Sequence, residues 1–156
     1  MVLSLIALGF LLATVLVGVF FASIHSLKRQ LYLLFWAGAW LLFALHLLPT
    51  AISHWTAPNP FLLAMSSCLF GFAGIGFFLG TQLYMRQKVR RGLAITAAMV
   101  LIAWASANAL QVLSISAVLP ASLIYIAVAV LFWRESRHHE TLADQLLAIA
   151  FAVWDC

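Results

Sequence analysis

Residues 61–91 read FLLAMSSCLFGFAGIGFFLGTQLYMRQKVRR, and this stretch decides the class of fold. Its first part, residues 61–85, has no charged side chain and exceeds the about 20 apolar residues that an α-helix needs to cross a bilayer core. Its last six residues carry four cations: Arg86, Lys88, Arg90 and Arg91. A long uncharged run that ends in a basic cluster is typical of a transmembrane helix whose end faces the cytoplasm.

The rest of the chain repeats this alternation of apolar runs and short basic clusters. The other cations are Lys28, Arg29, Arg134 and Arg137. Of the 156 residues, 66% are hydrophobic and 8% are charged, whereas globular domains are about half apolar and a quarter charged. The composition therefore excludes an ordinary soluble domain and makes the lipid bilayer the main partner. Cations at membrane ends account for the net charge of +4, so nucleic-acid binding is not indicated.

We predict an all-α, polytopic transmembrane bundle that forms a single domain over residues 1–156. It has five full spans and a sixth that is partial or truncated. The predicted helices cover about residues 2–24, 31–48, 61–85, 92–112, 117–133 and 142–156. Because cations in short connections stay on the cytoplasmic side, the amino terminus is predicted to be extracytoplasmic. The first run is too long for a signal peptide and is predicted to be a retained helix.

The sixth segment is shorter than the others. Its about 15 residues give roughly 22 Å of helix, less than the about 30 Å of hydrocarbon. We expect the chain to be truncated, or to be a fragment of a longer one, with an effector part beyond Cys156.

A candidate ligand-binding stripe lies on the fourth predicted helix. Trp104, Asn108 and Gln111 are spaced i, i+4 and i+7, which places them on one helix face. Together with Trp40 and His46 they could line a pocket for a small or lipophilic ligand, such as a quinone-like headgroup. The alternative is that these side chains form hydrogen bonds between helices.

Histidines near the outer end raise a second hypothesis, a haem site. His46 and His54 could supply axial ligands to haem b, whereas His25 lies at the opposite membrane face. The alternative is an interfacial histidine that bonds to water or to a carbonyl.

Gly76 and Gly80 form a G-x-x-x-G spacing in the third predicted helix. Small residues at this spacing let two helices approach closely, either inside the chain or across a homodimer. Both alternatives are open at this point.

Nothing in the sequence argues for an enzyme. We find no metalloprotease, catalytic-triad or phosphate-loop motif, and no carboxylate pair in the middle of a predicted span. Cys68 and Cys156 have no metal or redox spacing.

Two segments, YLLFWAGAWLLFALH (32–46) and LLAIAFAVW (146–154), resemble helices of the multi-helix membrane input modules of bacterial signalling proteins. Such proteins include GGDEF-type diguanylate cyclases and PAS-containing histidine kinases. The resemblance implies a sensor with an extracytoplasmic amino terminus and an odd number of helices that delivers its carboxyl end to a cytoplasmic output domain, which would hold any catalytic residues. We further expect a multi-pass protein of the bacterial cytoplasmic (inner) membrane that forms a homodimer. The further crossing that usually follows the second segment is absent from this chain.

The main functional prediction is therefore a sensory input domain that detects a small or lipophilic cue. The alternatives are a haem- or quinone-binding membrane protein, and a small transporter or structural subunit of a membrane complex.

Overall fold

The computed structural model describes residues 2–55, 59–86, 91–110 and 119–139. Within them the chain forms five α-helices. Their bounds are α1 Val2–Lys28, α2 Leu31–Trp55, α3 Pro60–Tyr84, α4 Arg91–Ala109 and α5 Leu119–His139. An all-helical structure is what a chain in lipid requires, because every backbone polar group must be paired within its own segment.

The prediction of five full spans and a partial sixth is wrong. Among the described residues, three helical stretches are long and apolar enough to cross a membrane: Leu8–Lys28, Leu31–Pro49 and Pro60–Tyr84. The apolar stretches of the other two helices, Gly92–Ala107 and Ser122–Arg134, are shorter. At 1.5 Å per residue they span about 24 Å and about 20 Å, less than the about 30 Å of hydrocarbon. The predicted sixth segment, 142–156, lies outside the described residues.

Helix α2 continues beyond the point at which the sequence predicts its end. We expected it to stop at residue 48 because the next residue is a proline. The structure keeps Pro49 inside the helix and ends it at Trp55. Proline removes one N–H donor, and transmembrane helices tolerate this loss because neighbouring groups satisfy the freed carbonyl.

Helix α3 is the centre of the bundle. Its backbone packs against α2, α4 and α5. Within the described residues, α1 packs its backbone only against α2, and α4 meets α5 over a short contact. Helix α3 therefore separates α2 from α4.

The direction of each helix follows from its contacts with α3. Gly80 faces Trp36 and Ser66 faces His46, so α2 and α3 are antiparallel. Helix α5 runs parallel to α3, as its ring contacts with α3 show. The described cations Lys28, Arg29, Arg86 and Arg134 consequently lie at one end of the bundle, here named the basic end.

Glycines in α3 bring α2 unusually close. A Cβ atom on Gly76 would lie 3.0 Å from Ala39 Cβ, and one on Gly80 would lie 2.4 Å from Trp36 Cδ1. The Trp36 indole therefore rests against the backbone of α3 in space that a side chain would otherwise fill. Its buried Nε1 has no hydrogen-bond partner among the described residues, so packing holds this ring in place.

Aromatic rings fill the space between α2, α3 and α5 along the length of the bundle. We name this set the aromatic column, and it consists of Trp36, Trp40, Phe43, His46, Phe70, Phe77, Tyr84, Tyr125 and Phe132. Val128 and Ala39 are almost completely buried and fill the gaps between the rings. Edge-to-face and offset ring pairs each add about 0.5–1.5 kcal/mol beyond the area that they bury.

Substitution of Gly80 tests the close contact. We expect Gly80→Ala to destabilise the bundle by about 1–3 kcal/mol, because the new methyl group collides with the rigid Trp36 indole. Gly38→Ala is the matched control: nothing lies within 4 Å of a Cβ atom there, so the substitution should be neutral or stabilising by up to about 1 kcal/mol. Unfolding of both variants in detergent micelles measures the difference. Equal stability of the two would contradict the helix packing described.

Candidate functional site

A pair of polar side chains joins α2 to α3 at the end of the bundle opposite the basic end. His46 Nδ1 lies 3.0 Å from Ser66 Oγ, and the same hydroxyl donates to the His46 carbonyl at 3.0 Å. A hydroxyl has one proton. Since the Ser66 hydroxyl uses that proton to donate to the His46 carbonyl, its oxygen accepts from Nδ1–H, and in the neutral ring Nε2 then carries the lone pair. We name this pair the His46–Ser66 contact.

The surroundings of His46 are aromatic. Its ring centroid lies 5.0 Å from that of Phe43 and 5.1 Å from that of Phe70. Phe70 in turn stacks on Tyr125 at 4.8 Å, and the Tyr125 hydroxyl donates to the Phe70 carbonyl at 3.3 Å. Helices α2, α3 and α5 therefore meet at one level through two side chain–backbone hydrogen bonds, Ser66 to His46 and Tyr125 to Phe70.

Two residues of the predicted ligand pocket, Trp40 and His46, belong to the aromatic column. Trp40 packs edge-to-face on Phe77 with centroids 5.2 Å apart. Both residues are half-buried. The structure therefore places these two parts of the predicted pocket in the packed core between α2 and α3.

The structure does not join the rest of the predicted pocket to them. Trp104 lies on α4, half-buried, and α3 separates α4 from α2. The Asn108 backbone is helical in α4, but its side chain and all of Gln111 lie outside the described residues. Since α2 and α4 pack on different sides of α3, the described residues form no single cavity between α2 and α4.

The backbone geometry does not favour His46 and His54 as a pair of axial haem ligands. His46 and His54 are both in α2, eight residues apart, so their backbones are about 12 Å apart along the axis. Metal-ligating nitrogens lie about 2 Å from the metal, so two axial ligands need to converge to about 4 Å from opposite sides. Two positions on one helix at this separation do not provide that. The described residues also contain no group of three or more His, Cys, Asp or Glu suited to a metal ion.

The glycines predicted for dimerisation face the interior of this chain. Gly76 and Gly80 both contact α2, through Ala39 and Trp36. Internal packing is thus the alternative that the structure favours, and this face of α3 is already covered. Homodimerisation itself stays a prediction.

Sequence reasoning missed Ser66 and Tyr125, which supply the hydroxyl groups of the site. Ser66 is 7% exposed and Tyr125 is 2% exposed. A serine and a tyrosine inside otherwise apolar runs were the available signal, because buried hydroxyl groups in lipid need partners. Their partners depend on how the helices are paired, which composition does not reveal.

Comparisons with protein-family models, with curated proteins and with solved structures find no match.

Removal of the Ser66 hydroxyl tests the His46–Ser66 contact. We expect Ser66→Ala to destabilise the protein by about 1 kcal/mol or more, because it removes both hydrogen bonds between the Ser66 hydroxyl and His46. Ser67→Ala is the control, since among the described residues the Ser67 hydroxyl bonds to the Leu63 carbonyl of its own helix. Thermal unfolding in micelles compares the two variants. If Ser67→Ala costs as much as Ser66→Ala, the contact between helices contributes nothing.

Proposed function

We propose that this chain is a membrane-embedded sensory input module of a bacterial cytoplasmic membrane protein. In this proposal a small lipophilic cue acts near the His46–Ser66 contact, and the aromatic column carries the change to the basic end. An output part joined beyond α5 would receive the signal and would hold any catalytic groups. The resemblance of segments 32–46 and 146–154 to input modules supports the same assignment.

The observation that carries the proposal is the continuity of the aromatic column. Rings from three helices follow one another from His46, through Phe70 and Tyr125, towards Phe132 and Tyr84. Tightly packed interiors do not deform smoothly; they shift between discrete packings. A displacement of the His46 ring would therefore reach the other end of the bundle through rigid neighbours.

A cue can bias such a bundle only if it binds the two packings with different affinity. The His46–Ser66 contact supplies this difference. A ligand that binds either side chain replaces the hydrogen bond between α2 and α3 with a hydrogen bond to the ligand. Helix α5 runs in the same direction as α3 and continues past the column to His139. It is the element suited to pass a change to a following segment.

A second candidate, haem binding through a single histidine, has one observation in its favour. Ligating histidines usually donate their other ring nitrogen to a fixed acceptor, and Ser66 Oγ is such an acceptor for Nδ1. Protein purified from haem-replete cells decides between the candidates: a Soret band that disappears in His46→Ala supports the second one, and colourless protein ends it.

The sensory proposal predicts that a change at the His46–Ser66 contact alters the distance between helices at the basic end. Nitroxide labels at Leu27→Cys and Trp133→Cys, in a Cys68→Ser/Cys156→Ser chain, report that distance by pulsed electron spin resonance; both positions are exposed. We expect Ser66→Ala to shift or broaden the distance distribution by about 1–2 Å, since helix shifts in switching proteins are of this size. Ser67→Ala should leave the distribution unchanged. Identical distributions in all three proteins would contradict transmission along the column.

A further inference from the structure

A groove opens at the basic end, far from the His46–Ser66 contact. It has a volume of about 490 Å³ and lies between the α1–α2 turn and the end of α3. Its lining comes from these two places: Arg29, Gln30, Leu31, Tyr32, Leu83, Tyr84 and Arg86. We name it the basic groove. Its volume falls within the range of small-ligand pockets in proteins.

Each of the two arginines follows the end of a helix in the same strained backbone conformation. Arg29 has a φ of 50° and Arg86 a φ of 52°, and these are the positive-φ non-glycine residues among the described ones. Glycine is the residue that this left-handed conformation favours. Hydrogen bonds from Arg29 N to His25 O (2.7 Å) and from Arg86 N to Leu83 O (3.1 Å) hold both backbones in place. After two helix ends the chain thus has a guanidinium group where its local backbone favours glycine.

Neither guanidinium is neutralised in the part of the chain that the structure describes. Both arginine residues are exposed, and the described contacts include no ion pair for either one. The four carboxylate residues of the chain all lie at or beyond position 135: Glu135, Glu140, Asp144 and Asp155. A single cation at the carboxyl end of a helix is enough to complement the helix dipole. Here two arginines line one groove, so their positive charge is concentrated there.

The level of the groove relative to the membrane indicates what neutralises this charge. The apolar stretch of α3 ends at Tyr84 and that of α2 begins at Leu31, so Arg86 and Arg29 lie just outside the hydrocarbon. Lipid phosphates lie at this depth. The Tyr32 and Tyr84 rings, 5.3 Å apart, complete the lining as aromatic groups suited to the interface. Leu27 is 83% exposed and Leu31 60%, and both offer apolar surface beside the groove.

We propose that the basic groove binds an anionic phosphate group through Arg29 and Arg86. Guanidinium groups present paired N–H donors that match two phosphate oxygens, and a pair of them can hold one phosphate from two sides. A phospholipid headgroup and a free phosphate share this chemistry. The exposed leucines beside the groove favour the lipid, because its acyl chains would cover them.

Lipid titration of the full chain in detergent, followed by native mass spectrometry, tests the proposal. Wild type should bind phosphatidylglycerol more tightly than phosphatidylcholine. The double variant Arg29→Gly/Arg86→Gly should bind phosphatidylglycerol at least tenfold more weakly, while its unfolding midpoint is not lowered, because glycine suits both backbones. Loss of binding without loss of stability separates a ligand site from a structural role. An Arg29→Gln/Arg86→Gln variant repeats the measurement with uncharged side chains that are longer than glycine.

Arg134→Gln is the matched control. Arg134 is exposed at the same end of the bundle but does not line the groove. This variant should bind phosphatidylglycerol within twofold of wild type. The proposal is overturned if it loses as much affinity as the double variants, since attraction would then be diffuse, or if the double variants bind as wild type does.

Inorganic phosphate and glycerol 3-phosphate identify the source of the phosphate. Lipid binding at least tenfold tighter than that of either soluble anion assigns the groove to a headgroup. Equal, arginine-dependent binding of lipid and soluble anions assigns it to free phosphate, and both results support the shared chemistry. Binding of neither lipid nor soluble phosphate overturns it.

Discussion

The close approach of α2 to α3 is the constraint on which the rest of the structure depends. Between helices in lipid there is no hydrophobic driving force, so association relies on packing and polar contacts. Gly76 and Gly80 leave room for Ala39 and Trp36, and this sets the register of the antiparallel pair. The same register places His46 opposite Ser66 at one end and Tyr32 beside Tyr84 at the other. The aromatic column, the polar contact and the basic groove thus share one origin.

The position of α3 also explains the asymmetry of the bundle. It is the most buried of the three stretches that are long enough to span a membrane, while α1 is largely exposed and packs its backbone only on α2 among the described residues. Exposed leucines and phenylalanines along α1 are suited to lipid contact, as expected of a peripheral membrane helix. The functional groups lie instead where α2, α3 and α5 meet, because side chains held by several helices are the ones whose positions are well determined.

The sequence predicted where the three long helices begin, and the remainder less well, for physical reasons. Length and the absence of charge identify a span, and they located α3 to within a residue at each end. The end of α2 was missed because Pro49 stops a helix in water more effectively than in a bundle. Neighbours could not be predicted, since helices that are apolar all round show no preferred face. For this reason the sequence identified Trp40 and His46 as candidates. It did not identify Ser66, Tyr125 or the groove that Arg29 and Arg86 share, because these depend on tertiary contacts.

A disulfide between Ala39→Cys and Gly76→Cys, in a Cys68→Ser/Cys156→Ser chain, tests whether α2 covers this face of α3 within one chain. The Cβ positions lie 3.0 Å apart, so a small outward shift reaches the about 3.5–4.5 Å that a disulfide requires. Mild oxidation in membranes should give a monomer whose two thiols no longer react with maleimide. Disulfide-linked dimers, or two thiols that remain reactive, would show that α2 of the same chain does not cover this face of α3.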